Sequence, residues 1–198
     1  MAQIKADAQQ RQSDTLPGQM PNPEGRKENC LQIQHHPQGL MNLRNSQDVS
    51  KIMSRHFGTA LPEEANSFSV SGDRRALWLG PDESLLICSD QDAAELHRTL
   101  STQLTGQHFQ LTLLSDALAV YNLNGPYVRD ILAKGCALDL HFSVFRSGHC
   151  AQSSLDRAAV TLMCEAENSF RLICRTSFAD YVETWLKDAA IEYGYEIK

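Results

Sequence analysis

Cysteine is the residue type in this sequence with the strongest intrinsic chemistry, because a thiolate serves both as a nucleophile and as a metal ligand. Cys136 follows Lys134-Gly135 at the end of a predicted helix, where the partial negative charge of the helix C-terminus disfavours a thiolate. Cys88 and Cys174 lie within apolar strand patterns. We therefore interpret all three as packing residues and predict that none of them is a nucleophile.

The histidines raise the question of a metal site, which needs three or four converging ligands supported by further hydrogen bonds. His35-His36 stands in a polar segment, while His141 and His149-Cys150 flank a loop. Neither group has the spacing of a metal site, and no C-x-x-C occurs among the six cysteines. We interpret these residues as ordinary loop residues and predict no metal site.

Two acidic positions fall where strands are predicted to turn. Asp82-Glu83 stands in a hairpin turn, and Asp116 joins two strands. Catalysis by paired carboxylates requires both groups to face one cleft, which spacing alone does not establish. Turn formation accounts for Asp82, and a cap or a strand-end hydrogen bond accounts for Asp116. Trp78 and Trp185 are expected to pack in a core or an interface. We predict no catalytic or cofactor-binding residue.

Composition and missing motifs exclude several classes of function. None of the eleven glycines forms a G-x-G, and no Walker A or G-x-S-x-G motif occurs. The net charge is -6 and basic residues cluster only in pairs, which excludes a basic nucleic-acid face. The longest apolar run, residues 117–121, is far shorter than the ~20 residues of a membrane-spanning helix. Without a signal-peptide pattern we expect a cytoplasmic protein with reduced thiols.

The chain divides into a polar leader and one domain. Every Phe, Tyr and Trp lies at Phe57 or beyond, whereas residues 1–30 are rich in glutamine and turn formers such as Pro17-Gly18. Such a segment buries too little apolar surface to offset its ordering entropy. Residues 1–39 are therefore predicted to be a leader that is disordered or ordered only by a partner, and residues 40–198 a single domain.

Hydrophobic patterning in that domain predicts strands and helices in alternation. Helices are expected over residues 46–58, 90–100, 126–135 and 178–190. Strands are expected over residues 40–44, 76–79, 84–88, 109–114, 118–123, 149–155, 160–164 and 170–174. Repeated ββα and βαβ units around antiparallel strands predict an α+β fold.

Two of these units match when the first is shifted by 86 residues. Leu86 then falls on Leu172, and Cys88 falls on Cys174. Identity between the two units is low although their apolar pattern agrees. Both a chance similarity of ordinary ββα units and an internal duplication explain this match, so the alternatives stay open at this point.

Several short motifs occur together in a fixed order along the chain. They are Leu77-Trp-Leu-Gly-Pro-Asp-Glu83, Ser115-Asp116, Gly125-Pro126, Leu132-Ala-Lys-Gly-Cys136 and Arg175-Thr-Ser-Phe-Ala179 with Trp185-Leu186. Their combination resembles one known family, the gamma subunits of heterotetrameric sarcosine oxidase. The resemblance covers residues 40–192, and Ser84 departs from it, since a tryptophan is usual there.

The resemblance implies an assembly of alpha, beta, gamma and delta subunits. Such an enzyme oxidatively demethylates sarcosine to glycine and forms hydrogen peroxide with 5,10-methylenetetrahydrofolate or formaldehyde. FAD, FMN, NAD, zinc and tetrahydrofolate would all be held by the other subunits, and none by this chain. The implied fold is a duplicated one, similar to the folate-binding domain of the glycine-cleavage aminomethyltransferase.

The resemblance therefore implies a non-catalytic structural subunit that contacts the alpha, beta and delta subunits, chiefly the flavin-binding beta subunit. A subunit of this kind exposes apolar surface when alone, and Trp78, Tyr127, Phe142 and Phe145 are the candidates that we select for it. Two alternatives remain. One is an equivalent subunit of a related secondary or N-methyl amine oxidase. The other is a free-standing folate-binding one-carbon module, in which Asp116 or Asp139 would hydrogen-bond the pterin.

Overall fold

Two stacked β-sheets carry the fold, which the computed structural model describes over residues 30–198. One sheet has five strands in the order β3-β4-β5-β2-β6, and every neighbouring pair in it is antiparallel. Its strands are β2 (Gln38–Asn45), β3 (Phe68–Ser71), β4 (Arg74–Gly80), β5 (Glu83–Ser89) and β6 (Phe109–Leu113).

The other sheet has six strands in the order β11-β1-β7-β10-β9-β8. Its neighbours are antiparallel except for β1 and β11, which are parallel. Its strands are β1 (Leu31–His35), β7 (Leu118–Asn124), β8 (Cys150–Leu155), β9 (Ala158–Ala166), β10 (Ser169–Arg175) and β11 (Tyr195–Ile197).

The helices are short and cover the outer faces of the sheets. Within residues 30–198, none of them has the length and apolar character needed to cross a membrane. They are α1 (Ser50–Ile52, continued as a π-helical turn over Met53–Phe57), α2 (Ala93–Gln103), α3 (Val128–Ala133) and α4 (Ala179–Ala189), the last entered through a 3₁₀ turn at Thr176–Phe178.

Strand alternation divides the core into three apolar layers. In β5, Ile87 points between the two sheets and Leu86 points to the opposite face, against α1 and α2. In β10, Ile173 likewise lies between the sheets, while Leu172 packs toward α3 and α4. The molecule is therefore layered as helices, sheet, sheet and helices. The consecutive apolar residues of β5 and β10 follow from burial on both faces.

The layers confirm the predicted α+β fold, and they also explain the repeat at 86 residues. β5 begins at residue 83 and ends at residue 89, and β10 begins at residue 169 and ends at residue 175. Likewise, α2 runs from residue 93 to residue 103, and α4 runs from residue 179 to residue 189. Both pairs of elements thus have the same length and the same offset, and their side chains occupy equivalent layers. We conclude that the repeat is an internal structural duplication.

The first strand corrects the predicted boundary of the leader. β1 lies within residues 1–39, yet it pairs with both β7 and β11. Leu31 and Ile33 are each 1% exposed, because the alternation in Leu-Gln-Ile-Gln directs them toward the helices. The folded domain therefore begins before residue 40. The rest of the leader prediction, over residues 1–29, lies outside the described residues.

Candidate subunit interface

The four residues selected as interface candidates are not gathered on one surface. Phe142, in the loop between α3 and β8, is 61% exposed, and Tyr127 at the start of α3 is 39% exposed. Trp78 is half-buried on β4, in the five-stranded sheet. Phe145 is only 7% exposed. Tyr127 directly precedes α3 and Phe142 lies in the loop that follows it, whereas Trp78 belongs to the five-stranded sheet.

The burial of Phe145 contradicts the expectation that its side chain forms part of a partner interface. Its ring stacks on Phe170 with centroids 6.2 Å apart, and it belongs to the core between the six-stranded sheet and α3 and α4. Its loop folds back over the sheet, so the Phe145 side chain is buried in the core and is not available to a partner. The role that remains for Phe145 is to hold the loop that carries Phe142.

Trp78 lies next to an irregularity in the strand pairing. The register between β4 and β5 shifts between Trp78 and Gly80. The Trp78 backbone N–H donates to the Ser67 carbonyl at 3.0 Å, and its carbonyl accepts from the Cys150 thiol at 3.7 Å. Its backbone is thus fixed by neighbouring segments while its side chain remains half-buried.

Tyr127 is held by a second aromatic ring. It stacks on Tyr193 with centroids 4.6 Å apart and planes inclined by 20°. The Lys134 ammonium lies 5.1 Å from the Tyr193 ring centroid and donates to the Ala189 carbonyl at 2.6 Å. This arrangement joins α3 to the end of α4 and presents Tyr127 at the surface.

A groove of about 570 Å³ lies beside Phe142. It runs between α3, the following loop and the turn that joins β9 to β10. Besides Phe142, the residues that line it include Arg129 and the acidic residues Asp130, Asp139 and Glu167. The groove therefore combines an exposed aromatic ring with three acidic side chains.

Arg129 lines this groove and fixes the loop that forms its wall. Its guanidinium donates to the carbonyls of Leu140 at 2.6 Å, Phe145 at 2.8 Å and Glu167 at 2.9 Å. It also lies 4.8 Å from the Phe170 ring centroid, within the range of a cation–π interaction. The arginine thereby ties α3 to both ends of the segment that presents Phe142. Nothing in the local sequence pattern marks Arg129 for this role.

The tip of the loop is ordered by its own side chains. The Asp139 carboxylate accepts the His141 backbone N–H at 2.9 Å, which is the pattern of an Asx turn. The His141 ring is hydrogen-bonded to the Ser143 hydroxyl at 2.7 Å and lies 4.3 Å from the Phe142 ring. Phe142 is therefore exposed on a loop that is braced at its tip and at its base.

A second groove, of about 480 Å³, brings together three of the residues that sequence reasoning considered for chemistry. His35, His36 and Asp116 line it together with Asp90 and Asp180. Among residues 30–198, no group of three or more His, Cys, Asp or Glu side chains has the geometry of a metal site. Asp116 and Asp139 line different grooves, so the structure does not bring these two candidate pterin-binding acids together.

The acids of the hairpin turn are engaged in ion pairs. Arg44 on β2 contacts the Glu83 carboxylate at 2.6 Å and the Asp82 carboxylate at 3.9 Å. Asn42 donates to the other Glu83 oxygen at 2.7 Å. These contacts join the turn to the neighbouring strand and give the acidic pair a structural role.

The thiols examined for reactivity lie in the core. Burial raises the pKa of Cys88 to about 11, of Cys150 to about 12 and of Cys174 to about 11. Cys136 is 8% exposed, and its sulfur lies 3.7 Å from the Ser153 hydroxyl. A thiol with a pKa far above neutrality is a poor nucleophile. These positions agree with the packing roles expected from the strand pattern.

An ion-pair cluster between the sheets was missed by sequence reasoning. Glu165 on β9 accepts from Arg75 of the five-stranded sheet at 2.6 Å and pairs with Arg171 on β10 at 3.3 Å. Burial lowers the pKa of the Arg171 guanidinium, and the charge of Glu165 opposes this shift. The available signal was a charged residue in the middle of the apolar strand Phe170-Arg-Leu-Ile-Cys174.

Comparisons with solved structures extend this description. A chain of the heterotetrameric sarcosine oxidase from Corynebacterium sp. U-96, solved in complex with pyrrole 2-carboxylate, superposes with a TM-score of 0.77 at 29% identity, covering 84% of this chain and 86% of that one. The glycine cleavage system aminomethyltransferase T from Bartonella henselae superposes with a TM-score of 0.64 at 12% identity, covering 87% of this chain and 48% of that one. The second likeness concerns the fold alone.

Curated sequences agree with the first of these structures. The sarcosine oxidase subunit gamma of Corynebacterium sp. (strain P-1) is 34% identical over 145 residues, which are 73% of this chain and 70% of that protein. Its counterpart from Arthrobacter sp. is 32% identical over 139 residues, which are 70% of this chain and 68% of that protein. Residues 47–192 match the sarcosine oxidase, gamma subunit family. With most of its length matched in this way, the chain belongs to the family of sarcosine oxidase gamma subunits.

Proposed function

We propose that this chain is the gamma subunit of a cytoplasmic heterotetrameric sarcosine oxidase and that its role in the assembly is structural. The assembly oxidatively demethylates sarcosine to glycine, and it forms hydrogen peroxide together with 5,10-methylenetetrahydrofolate or formaldehyde. The observation that carries this proposal is the superposition on a chain of the heterotetrameric enzyme, which extends over 84% of this chain and 86% of that one.

The proposal assigns the redox and one-carbon chemistry to the other subunits. FAD, FMN, NAD, zinc and tetrahydrofolate are bound by alpha, beta and delta, with the amine-oxidising flavin on beta. This chain contributes a rigid double-sheet body. Its interior is occupied by apolar side chains such as Leu40, Ile87 and Ile173 and by the ion pair between Arg75 and Glu165.

Within the assembly, we assign docking to the surface around α3. Phe142 and Tyr127 are exposed there by 61% and 39%, and each is held by neighbouring side chains. Aromatic side chains that are already fixed lose little conformational entropy on binding, which suits an interface anchor. Trp78, half-buried on the other sheet, is proposed as a separate contact. The flavin-binding beta subunit is the expected main partner.

Co-expression tests this function directly. The chain would be tagged and expressed with alpha, beta and delta subunits, and the affinity-purified product would be examined for flavin absorbance and for oxygen consumption with sarcosine. We expect a yellow complex of four chains. Omission of this chain should lower the yield or stability of the complex while the catalytic constants of the remaining material stay the same.

Two other results would redirect the assignment. A complex that oxidises dimethylglycine or a methylated proline derivative in preference to sarcosine would identify the subunit of a related amine oxidase. A colourless chain that remains monomeric in the presence of the other subunits and binds folate saturably by itself would overturn the structural proposal. It would favour a one-carbon module instead.

A further inference from the structure

The carboxylates in the groove beside Phe142 come from three separate segments. Asp130 lies on α3, Asp139 in the following loop and Glu167 in the turn between β9 and β10. Across residues 30–198, none of these three forms an ion pair with a basic side chain. The groove thus holds three carboxylates that have no ion-pair partner within residues 30–198.

Arg129 also lines the groove, but among residues 30–198 it forms no ion pair with any of the three carboxylates. Its guanidinium donates to three backbone carbonyls and to the Cys164 sulfur, and it lies over the Phe170 ring. The donors of Arg129 are therefore occupied by these contacts, and the acidic residues of the groove outnumber its one arginine.

Phe142 is an independent indication that this surface is a contact site. It is the most exposed of the large apolar side chains between residues 30 and 198, at 61%, and Val144 on the same loop follows at 52%. The loop is fixed at its base by Arg129 and at its tip by Asp139. A braced loop that exposes an aromatic ring loses little entropy when a partner covers it.

We propose that this acidic groove, defined as the surface formed by Asp130, Asp139, Phe142 and Glu167, receives a lysine or arginine side chain of a partner subunit. The cation would form charge-assisted hydrogen bonds with the carboxylates and a cation–π contact with the Phe142 ring. A second copy of this chain is a poorer occupant, because two chains that each carry a net charge of -6 repel each other. The inference rests on the function proposed above.

The test compares gamma variants inside the four-subunit complex. Wild-type gamma and the double variant Asp130→Asn with Asp139→Asn would be co-expressed with alpha, beta and delta, and the complex captured through a tag on beta. Asparagine keeps the oxygen that accepts the His141 N–H, so the loop can retain its turn. We expect the variant to be incorporated about tenfold less than wild type, a change equivalent to about 1.4 kcal/mol.

Salt should distinguish a charge effect from a packing effect. The immobilised complex would be washed with increasing sodium chloride, and the concentration that releases half of the gamma subunit recorded. The double variant should be released at lower salt than wild type. It forms fewer ion pairs with the partner, so less screening of charge is needed to release it. Glu63→Gln with Glu64→Gln is the matched control, because both of these acids are exposed and lie outside the groove.

The aromatic ring is tested separately. Phe142→Ala should lower incorporation by about tenfold or more, as truncation of an interface anchor does. Val70→Ala, at a position 50% exposed on β3, should leave incorporation unchanged. Circular dichroism of each gamma variant checks folding, and Asp130→Asn alone replaces the double variant if that variant does not fold.

The outcomes separate the two proposals. If wild-type gamma joins the complex and the neutralised variant joins it equally, with the same salt response, the inference about the groove is wrong and the proposed function stands. If wild-type gamma never associates with alpha, beta and delta, the proposed function fails and the inference fails with it. A gamma homodimer that Phe142→Ala dissociates would also overturn the inference, by showing that a second copy occupies the groove.

Discussion

Gly135 and Trp185 approach each other so closely that the glycine has no room for a side chain. A Cβ placed on Gly135 would lie 2.4 Å from Cζ2 of the Trp185 indole. The glycine follows α3 and the tryptophan lies on α4, so this contact sets the spacing of the two helices that cover the six-stranded sheet. The glycine is thus needed for close packing of the helices.

Gly135→Ala should therefore destabilise the protein. Overpacking of this kind costs about 1–3 kcal/mol of unfolding free energy, measurable by urea denaturation. Trp185→Phe removes ring atoms at the contact, so it should be less harmful in the Gly135→Ala background than in the wild type. A double-mutant cycle measures this coupling, and strictly additive effects would show that the indole does not cause the strain.

Arg129 should stabilise one loop far more than the rest of the fold. Arg129→Met keeps most of the apolar stem but removes the donors to the carbonyls of Leu140 and Phe145. Hydrogen bonds to a charged group contribute about 1.5–3 kcal/mol each, so hydrogen exchange in residues 138–148 should accelerate strongly. The matched control is Arg98→Met, at an exposed position on α2. Equal acceleration in both variants would contradict the assigned role.

Glu165 should be more important than either of its arginine partners alone. Glu165→Gln leaves the Arg75 and Arg171 guanidiniums close together between the sheets without their shared carboxylate. Loss of one partner from a buried ion pair costs about 3–5 kcal/mol, and partial exposure of Glu165 favours the lower end here. Equilibrium unfolding measures the loss. Glu167→Gln, two residues away in the exposed turn, should have little effect, and similar losses in both variants would refute the cluster.

The buried thiols should make the protein less stable in alkali. Burial raises the native pKa of Cys88 to about 11 and of Cys150 to about 12, above the ordinary value of 9.0. Above pH 9 the unfolded chain loses these protons and the native chain keeps them, so stability falls as pH rises. Below pH 9 these thiols are protonated in both the native and the unfolded chain, so they no longer make the stability depend on pH.

Two measurements check this behaviour. The decline in unfolding free energy between pH 8 and pH 10 should be smaller in Cys150→Ala, after allowance for its lower stability at pH 8. Native protein at pH 8 should react slowly with a thiol reagent, and urea should make Cys88, Cys150 and Cys174 reactive. Rapid labelling of these thiols without denaturant would contradict their burial.

Local patterns were sufficient to predict most of the regular elements. The apolar run of β5 and its counterpart in β10 gave the correct strands, and the matching pattern of α2 and α4 gave helices with Leu96 and Val182 facing inward. These elements are buried on both faces or strongly amphipathic, so their sequences carry the signal directly. The same positions revealed the repeat at 86 residues.

The features that were missed depend on contacts between distant parts of the chain. β1 contains only two buried apolar residues, Leu31 and Ile33, and it becomes a strand because β7 and β11 flank it. Phe145 is buried because Arg129 and Phe170 draw its loop onto the sheet. No local pattern encodes such pairings, and the pattern around Phe142 and Phe145 did not show which ring faces solvent.

The parallel pairing of β1 with β11 has a consequence for synthesis. β1 is among the first described segments to leave the ribosome, yet Leu31 and Ile33 pair with residues 195 and 197. The six-stranded sheet therefore stays incomplete, with an open edge on β1, until nearly the whole described chain has been translated. The five-stranded sheet contains no residue beyond 113 and can assemble earlier. Because β11 is added last, the edge of β1 in an unfinished chain stays open to pairing with strands of other molecules.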